Sequence, residues 1–171
     1  MSDHEEYVTT ATFDLRNPDG AWLLLLLHGL GGDWQQALGL IDGYSDPRLA
    51  VLAPDLRAHG ESPIVGPPGA FTFEALSADL LALIDRLRQG SKPVIVAGIS
   101  MGAALALRLA ISRALDLRGM ALVRPAFDDT SSPDNLAVLP VTASLLRSVN
   151  PEAARASLLA SPEYRAIAAV T

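Results

Sequence analysis

The chain has 171 residues, 50% hydrophobic and 19% charged, enough for a core of ordinary size, and length alone makes one domain the default. Its net charge of -6, with no basic run, weighs against nucleic acid or an anionic membrane surface as partner, because both need clustered cations to offset phosphate charge. With no cysteine it has no disulfide, thiolate nucleophile or cysteine-ligated zinc, and the redox compartment stays open.

Met1 to Glu6 is acidic and polar, without the positive and apolar regions of a secretory signal, so cytoplasmic residence is expected. Tyr7 to Leu15 alternates and runs into the turn signal Asn17-Pro18-Asp19-Gly20, which predicts an antiparallel edge hairpin. Ala21 to Leu27 is the most apolar run, far too short to cross a bilayer, and reads as a buried strand. His28-Gly29-Leu30-Gly31-Gly32-Asp33 follows it directly. Gly29-Leu30-Gly31 after a strand also suggests a dinucleotide loop, but Trp34 stands where the third glycine is needed.

Ala50 to Ala53 is a second buried strand, followed by Asp55-Leu56-Arg57-Ala58-His59-Gly60-Glu61-Ser62. Phe73 to Arg88 is a helix, with Phe73, Leu76, Leu80, Leu83, Ile84 and Leu87 along one face, Thr72 as N-cap, Glu74 at the positive dipole end and Gly90 as the stop. Lys92, the one lysine, precedes a probable strand start rather than closing a phosphate loop.

Pro93 to Ala97 and Met120 to Val123 complete a set of near-continuously apolar runs, as strands buried on both faces look, alternating with amphipathic segments. The fold class is therefore α/β, a mostly parallel sheet with flanking helices. Between the strand at 93–97 and the small-residue helix starting at Ala103 stands Gly98-Ile99-Ser100-Met101-Gly102. In that context G-x-S-x-G makes a strained turn from strand to helix, with the Ser100 hydroxyl projecting from the strand end. A side chain at 98 or 102 would collide with neighbouring backbone.

After Asp128 the alternation stops. Thr130 to Asn135 reads as a polar linker, and Pro140 as an interruption of a helical candidate. Asn150-Pro151-Glu152 and Ser161-Pro162-Glu163 each place a capping residue, a proline at the first helical position and an acid at the positive dipole end, with Leu158 and Leu159 as a modest apolar stripe between.

The order and spacing of the H-G-L-G-G loop, the D-x-x-x-H-G-x-S segment and the elbow, over about residues 8 to 128, resemble the α/β-hydrolase superfamily of lipases, esterases and related enzymes. The resemblance implies Ser100 as nucleophile, with the backbone N–H groups of Leu30 and Met101 as oxyanion hole. Gly98 and Gly102 flank the elbow, and His28 and Gly29 shape the supporting loop. Two such donors stabilise developing negative charge without reorganisation, each worth about 3 kcal/mol. Glycines 29, 31 and 32 leave the loop backbone open to a substrate. No metal or organic cofactor is implied, and the partner is a small acyl substrate. Serine at 100 argues against the epoxide-hydrolase and haloalkane-dehalogenase branches, which use aspartate there.

In that superfamily the base is a histidine late in the chain, yet His4, His28 and His59 all precede Ser100. His28 and His59 belong to loop motifs, and His59 as substitute base is a hypothesis. Asp128 and Asp129 are either an acid displaced to an earlier strand end or, preferably, a solvated turn. The economical expectation is the N-terminal part of a longer hydrolase, weakly active or inactive alone, with 1–128 as core and 129–171 as linker and beginning of a helical lid. Exposed sheet and lid surfaces would then favour self-association or a partner chain. The alternative is a non-catalytic hydrolase-like module for ligand binding or interaction.

Overall fold

The computed structural model describes residue 7 and residues 9–130, 133–147 and 150–169. The expectations placed on Met1 to Glu6, His4, Val8, Ser131 and Ser132 lie outside the described residues. The chain divides into two compact units, Met1–Pro125 and Ala126–Thr171.

The first unit carries a five-stranded sheet in the order β1-β3-β2-β4-β5, with β1 (Phe13–Arg16), β2 (Trp22–Leu27), β3 (Leu49–Pro54), β4 (Val94–Ile99) and β5 (Leu117–Val123). All neighbours are parallel except β1 against β3. Helix α1 (Trp34–Leu38) follows β2, α2 (Phe73–Arg86) follows β3 and α3 (Met101–Ser112) follows β4. β2 is the middle strand although Leu is a good helix former. Its six residues are too few for a stable helix, and burial on both faces overrides propensity. Period-two geometry sends Leu23, Leu25 and Leu27 to one face, where Leu76, Leu80 and Ile84 of α2 and Leu105, Ala106 and Leu109 of α3 cover them. Leu24 and Leu26 point the other way, against Ala37 and Leu38 of α1.

Four expectations need correction. Tyr7, Thr9 and Thr10 are helical rather than extended, and β1 is an antiparallel edge strand whose partner is β3, not the next strand in the chain. The turn explains this. Asn17 takes a positive φ of 48° and its side-chain amide donates to the Leu49 carbonyl at 3.0 Å, while a Cβ on Gly20 would strike the Leu49–Ala50 backbone. The turn is thus docked on β3.

β5 is not buried on both faces, for its outer edge has no strand partner among the described residues and Met120 is 42% exposed. Leu117 and Leu122 alone reach the core. Pro140 does not interrupt the helix around it. It lies in the first turn of α4 (Val138–Leu145), where the missing N–H has no intrahelical partner anyway. The second unit continues with α5 (Pro151–Ala160) and α6 (Pro162–Ala168), capped by Asn150 and Ser161 through the amides of Ala153 and Tyr164 at 3.0 and 3.1 Å.

The fourth correction is the end of α2. Thr72 caps its start as expected, accepting from the Ala75 amide at 3.1 Å, but the helix closes before Gly90. Arg88 takes the left-handed conformation at φ 57°, its N–H bonding the Asp85 carbonyl at 2.8 Å and the Gln89 N–H bonding the Ile84 carbonyl at 2.9 Å. That paired closure normally uses glycine at the left-handed position, because a Cβ there costs about 1–2 kcal/mol. Arg88→Gly should therefore raise stability by about 0.5–1 kcal/mol after the extra freedom of unfolded glycine is subtracted. Urea midpoints of the two proteins measure this, and a lower midpoint for the variant contradicts it.

Candidate active site

Ser100 is the single residue between β4 and α3, and its backbone, at φ 50° and ψ -106°, is in a region that costs a non-glycine residue about 1–3 kcal/mol. The surroundings enforce it. The Ser100 N–H is held by the Val123 carbonyl of β5 at 3.0 Å, and the Ser100 carbonyl accepts from Ala103 at 3.0 Å to begin α3. A Cβ on Gly98 would collide with the Gly102 carbonyl, and one on Gly102 with the carbonyls of Leu27 and His28. Strand β4, helix α3 and the end of β2 thus meet backbone to backbone, which only glycine permits. The Ser100 side chain makes no capping hydrogen bond to its own helix.

The loop after β2 comes alongside. A side-chain carbon on Gly29 would stand 3.4 Å from the Ile99 carbonyl oxygen and 3.7 Å from Ser100 Cβ, so the structure brings Gly29 and Ser100 together. Leu30 follows, a residue 59% exposed. Neither the Leu30 N–H nor the Met101 N–H has a hydrogen-bond partner among the described residues. For Met101 this is the ordinary condition of the first amide in a helix.

His28 is fully buried and both ring nitrogens are committed. Nδ1–H donates to the Gly29 carbonyl at 2.8 Å, and Nε2 accepts from the Leu56 N–H at 3.0 Å. Burial holds its pKa below the ordinary histidine value, outweighing the backbone contact to Gly29 that favours the charged form. This ring joins two loops and is not free to take a proton. Its neighbour His59, with ring centroids 5.1 Å apart, directs Nδ1 to the Arg57 carbonyl at 2.8 Å and shares no hydrogen bond with Ser100. Asp128 and Asp129 are exposed. Asp128 Oδ1 accepts from Thr130 Oγ1 at 2.6 Å and from Thr130 N–H at 2.8 Å, a local turn whose hydrogen bonds hold its pKa below the ordinary carboxylate value.

Beneath the loops lies a polar layer that the motifs only partly announced. Asp55, fully buried, accepts from Trp34 N–H at 2.8 Å and from Glu61 N–H at 2.9 Å, so one carboxylate fastens both loops. Gly60, at φ 55°, leaves room for it. Arg57 makes a buried two-pronged pair with Asp79 of α2, at 2.9 and 3.0 Å, and lies 5.7 Å from the centre of the Tyr7 ring. The Tyr7 hydroxyl donates to the Asp55 carbonyl at 2.8 Å, and burial first, then the charges of Asp79 and Asp55, push its pKa up. Asp79 escaped sequence reading, though one signal existed: a carboxylate among Leu76, Leu80 and Leu83 on the core face of α2 needs a buried partner.

Residues 24–170 match the model of the alpha/beta hydrolase family. The chain belongs to the alpha/beta hydrolase family. It is 35% identical over 112 residues to Lipase LipV of Mycobacterium tuberculosis, covering 64% of this chain and 39% of that protein. It is 33% identical over 97 residues to protein phosphatase methylesterase 1 of Schizosaccharomyces pombe, covering 53% of this chain and 28% of that one. Among solved structures, a thermophilic esterase from Thermogutta terrifontis is 29% identical with a TM-score of 0.58, over 81% of this chain and 48% of the esterase. The chain thus spans less than half the length of these relatives. Among the described residues no helix is long and apolar enough to cross a membrane, and no three or more His, Cys, Asp or Glu side chains cluster so as to hold a metal ion.

The state of His28 carries a pH signature. An unfolded histidine takes a proton near pH 6.5, whereas folded His28 resists until lower pH, so its contribution to stability is present above about 6.5 and is lost as pH falls through the folded value. Melting temperature should fall between pH 7 and pH 5, above the range where carboxylates titrate, and the slope should flatten in His28→Gln. An identical slope in the two proteins contradicts the assignment.

Proposed function

We propose that this chain carries the nucleophile and oxyanion hole of a serine hydrolase acting on ester or related acyl substrates. The observation that supports this best is a strained serine whose hydroxyl caps nothing, beside a glycine loop, with the Leu30 and Met101 amides both unspent. In this reading Ser100 Oγ attacks the acyl carbon, its proton passes to a base, and the former carbonyl oxygen becomes an anion held by those two N–H groups. The C–O bond to the alcohol breaks, an acyl-serine remains, and water releases the acid. The relatives' names, a lipase, a methylesterase and an esterase, all denote ester hydrolysis and favour that substrate class. Residues 1–128 are the hydrolase core and 129–171 a linker and the beginning of a lid.

The proton of Ser100 has no imidazole to go to among the described residues, because His28 is committed and His59 is not hydrogen-bonded to it. In subtilisin, loss of the histidine costs about a millionfold in turnover, so ester hydrolysis by this chain alone should be feeble. The second reading is a hydrolase-like scaffold that binds without catalysing. A fluorophosphonate probe separates the two. Incubation with the probe, followed by mass spectrometry, should give one slow adduct on Ser100, faster with added imidazole and missing in Ser100→Ala. No adduct on Ser100 even with imidazole, or an adduct that survives in Ser100→Ala, excludes the hydrolase reading.

A further inference from the structure

Gln36 stands third in α1, after the N-cap Asp33. At that position a glutamine usually turns back to the amide of the cap residue itself. Here the pattern is broken on one side only. Asp33 Oδ1 accepts from the Gln36 N–H at 2.9 Å, as a cap should, but Gln36 Oε1 passes over the cap and accepts from the Gly29 N–H at 2.8 Å. On the way it lies across Gly32, where any Cβ would collide with the Gln36 amide group.

The carbonyl of Gly29 is held as well, by His28 Nδ1–H at 2.8 Å and by the Gly32 N–H at 3.0 Å. Both polar groups of Gly29 are therefore fixed. A glycine without such ties has the widest choice of φ and ψ of any residue. The Gly29 carbonyl and the Leu30 N–H belong to one planar trans peptide unit and point in opposite directions, so whatever fixes Gly29 also aims Leu30 N–H. Gln36 controls φ of Gly29 from the N–H side, and His28 controls ψ from the carbonyl side.

We propose that Gln36 is a positioning residue that presets the Leu30 amide before the acyl oxygen acquires charge. It rests on the reading of Leu30 N–H as an oxyanion donor, and Gln36 acts through Gly29 without touching the substrate. A donor already aimed spares reorganisation during the reaction, so the contribution belongs to the chemical step rather than to binding.

The test uses the 171-residue chain, the fluorophosphonate probe and added imidazole, with wild type, Gln36→Met and Gln36→Glu. Methionine has nearly the same length and no comparable acceptor, while glutamate keeps an oxygen for Gly29. In Gln36→Met the maximal labelling rate should fall about tenfold, the size of one lost hydrogen bond, with the half-saturating probe concentration unchanged. The Gly29 amide should lose protection from hydrogen exchange while the melting temperature stays near that of wild type. Gln36→Glu should keep that protection and label faster than the methionine variant. A methionine variant that labels at the wild-type rate overturns this inference alone, as does a loss that merely tracks unfolding. Absence of labelling in wild type removes the hydrolase reading and this inference with it.

Discussion

Three pieces of backbone meet at Gly98 and Gly102 with no room for a Cβ between them, and the arrangement of the first unit follows from that contact. Helix α3 can start hard against the ends of β2 and β4 only because its second residue is glycine and is followed by alanines that pack flat on the sheet. The turn this demands forces Ser100 to a positive φ, at a cost of about 1–3 kcal/mol that the isolated segment could not sustain. What sustains it is the core on either side of β2, where Leu23 to Leu27 are buried on both faces. Sheet packing thus stabilises a conformation that local propensity opposes, and the same contact brings the loop after β2 beside the serine.

A second constraint holds that loop in place. Its backbone is glycine-rich and would be mobile alone, so the molecule fastens it from outside with His28, Asp55 and Gln36. His28 and Asp55 each serve two loops at once, tying residues 29–34 to residues 56–61. The Arg57–Asp79 pair anchors that second loop to α2. Both side chains are almost wholly withdrawn from water, so removing either partner would leave an uncompensated charge, at a cost of about 3–5 kcal/mol. Such a pair is a poor source of net stability, since desolvation offsets attraction, but it fixes where the loop lies.

What the sequence disclosed and what it hid divide along physical lines. The cores of β2 to β5 were legible because runs such as Leu23 to Leu27 are uniformly apolar and bounded by turn residues or glycines. The surroundings of Ser100 were legible because glycines at 98 and 102 have little reason to flank a helix start other than close approach. Hidden features depended on contacts distant in sequence. The partner of β1 followed from Asn17 and Gly20 docking on β3, and the openness of β5 from the lack of a strand beside it among the described residues. Arg88 in a left-handed closure defies the glycine preference, and Gln36 reaching Gly29 departs from the local capping pattern. Asp79 could have been noticed as a charge on an apolar stripe, but nothing in the sequence says that Arg57 meets it.

The proposed function rests on one geometric claim, that the Ser100 hydroxyl and the Leu30 and Met101 amides aim at one point. A crystal structure of the chain after phosphonylation reads this directly, because the phosphoryl oxygen stands where the anion of the tetrahedral intermediate would. The account predicts that oxygen about 2.7–3.1 Å from both Leu30 N and Met101 N. A phosphoryl oxygen turned to solvent, with both amides unengaged, would contradict it.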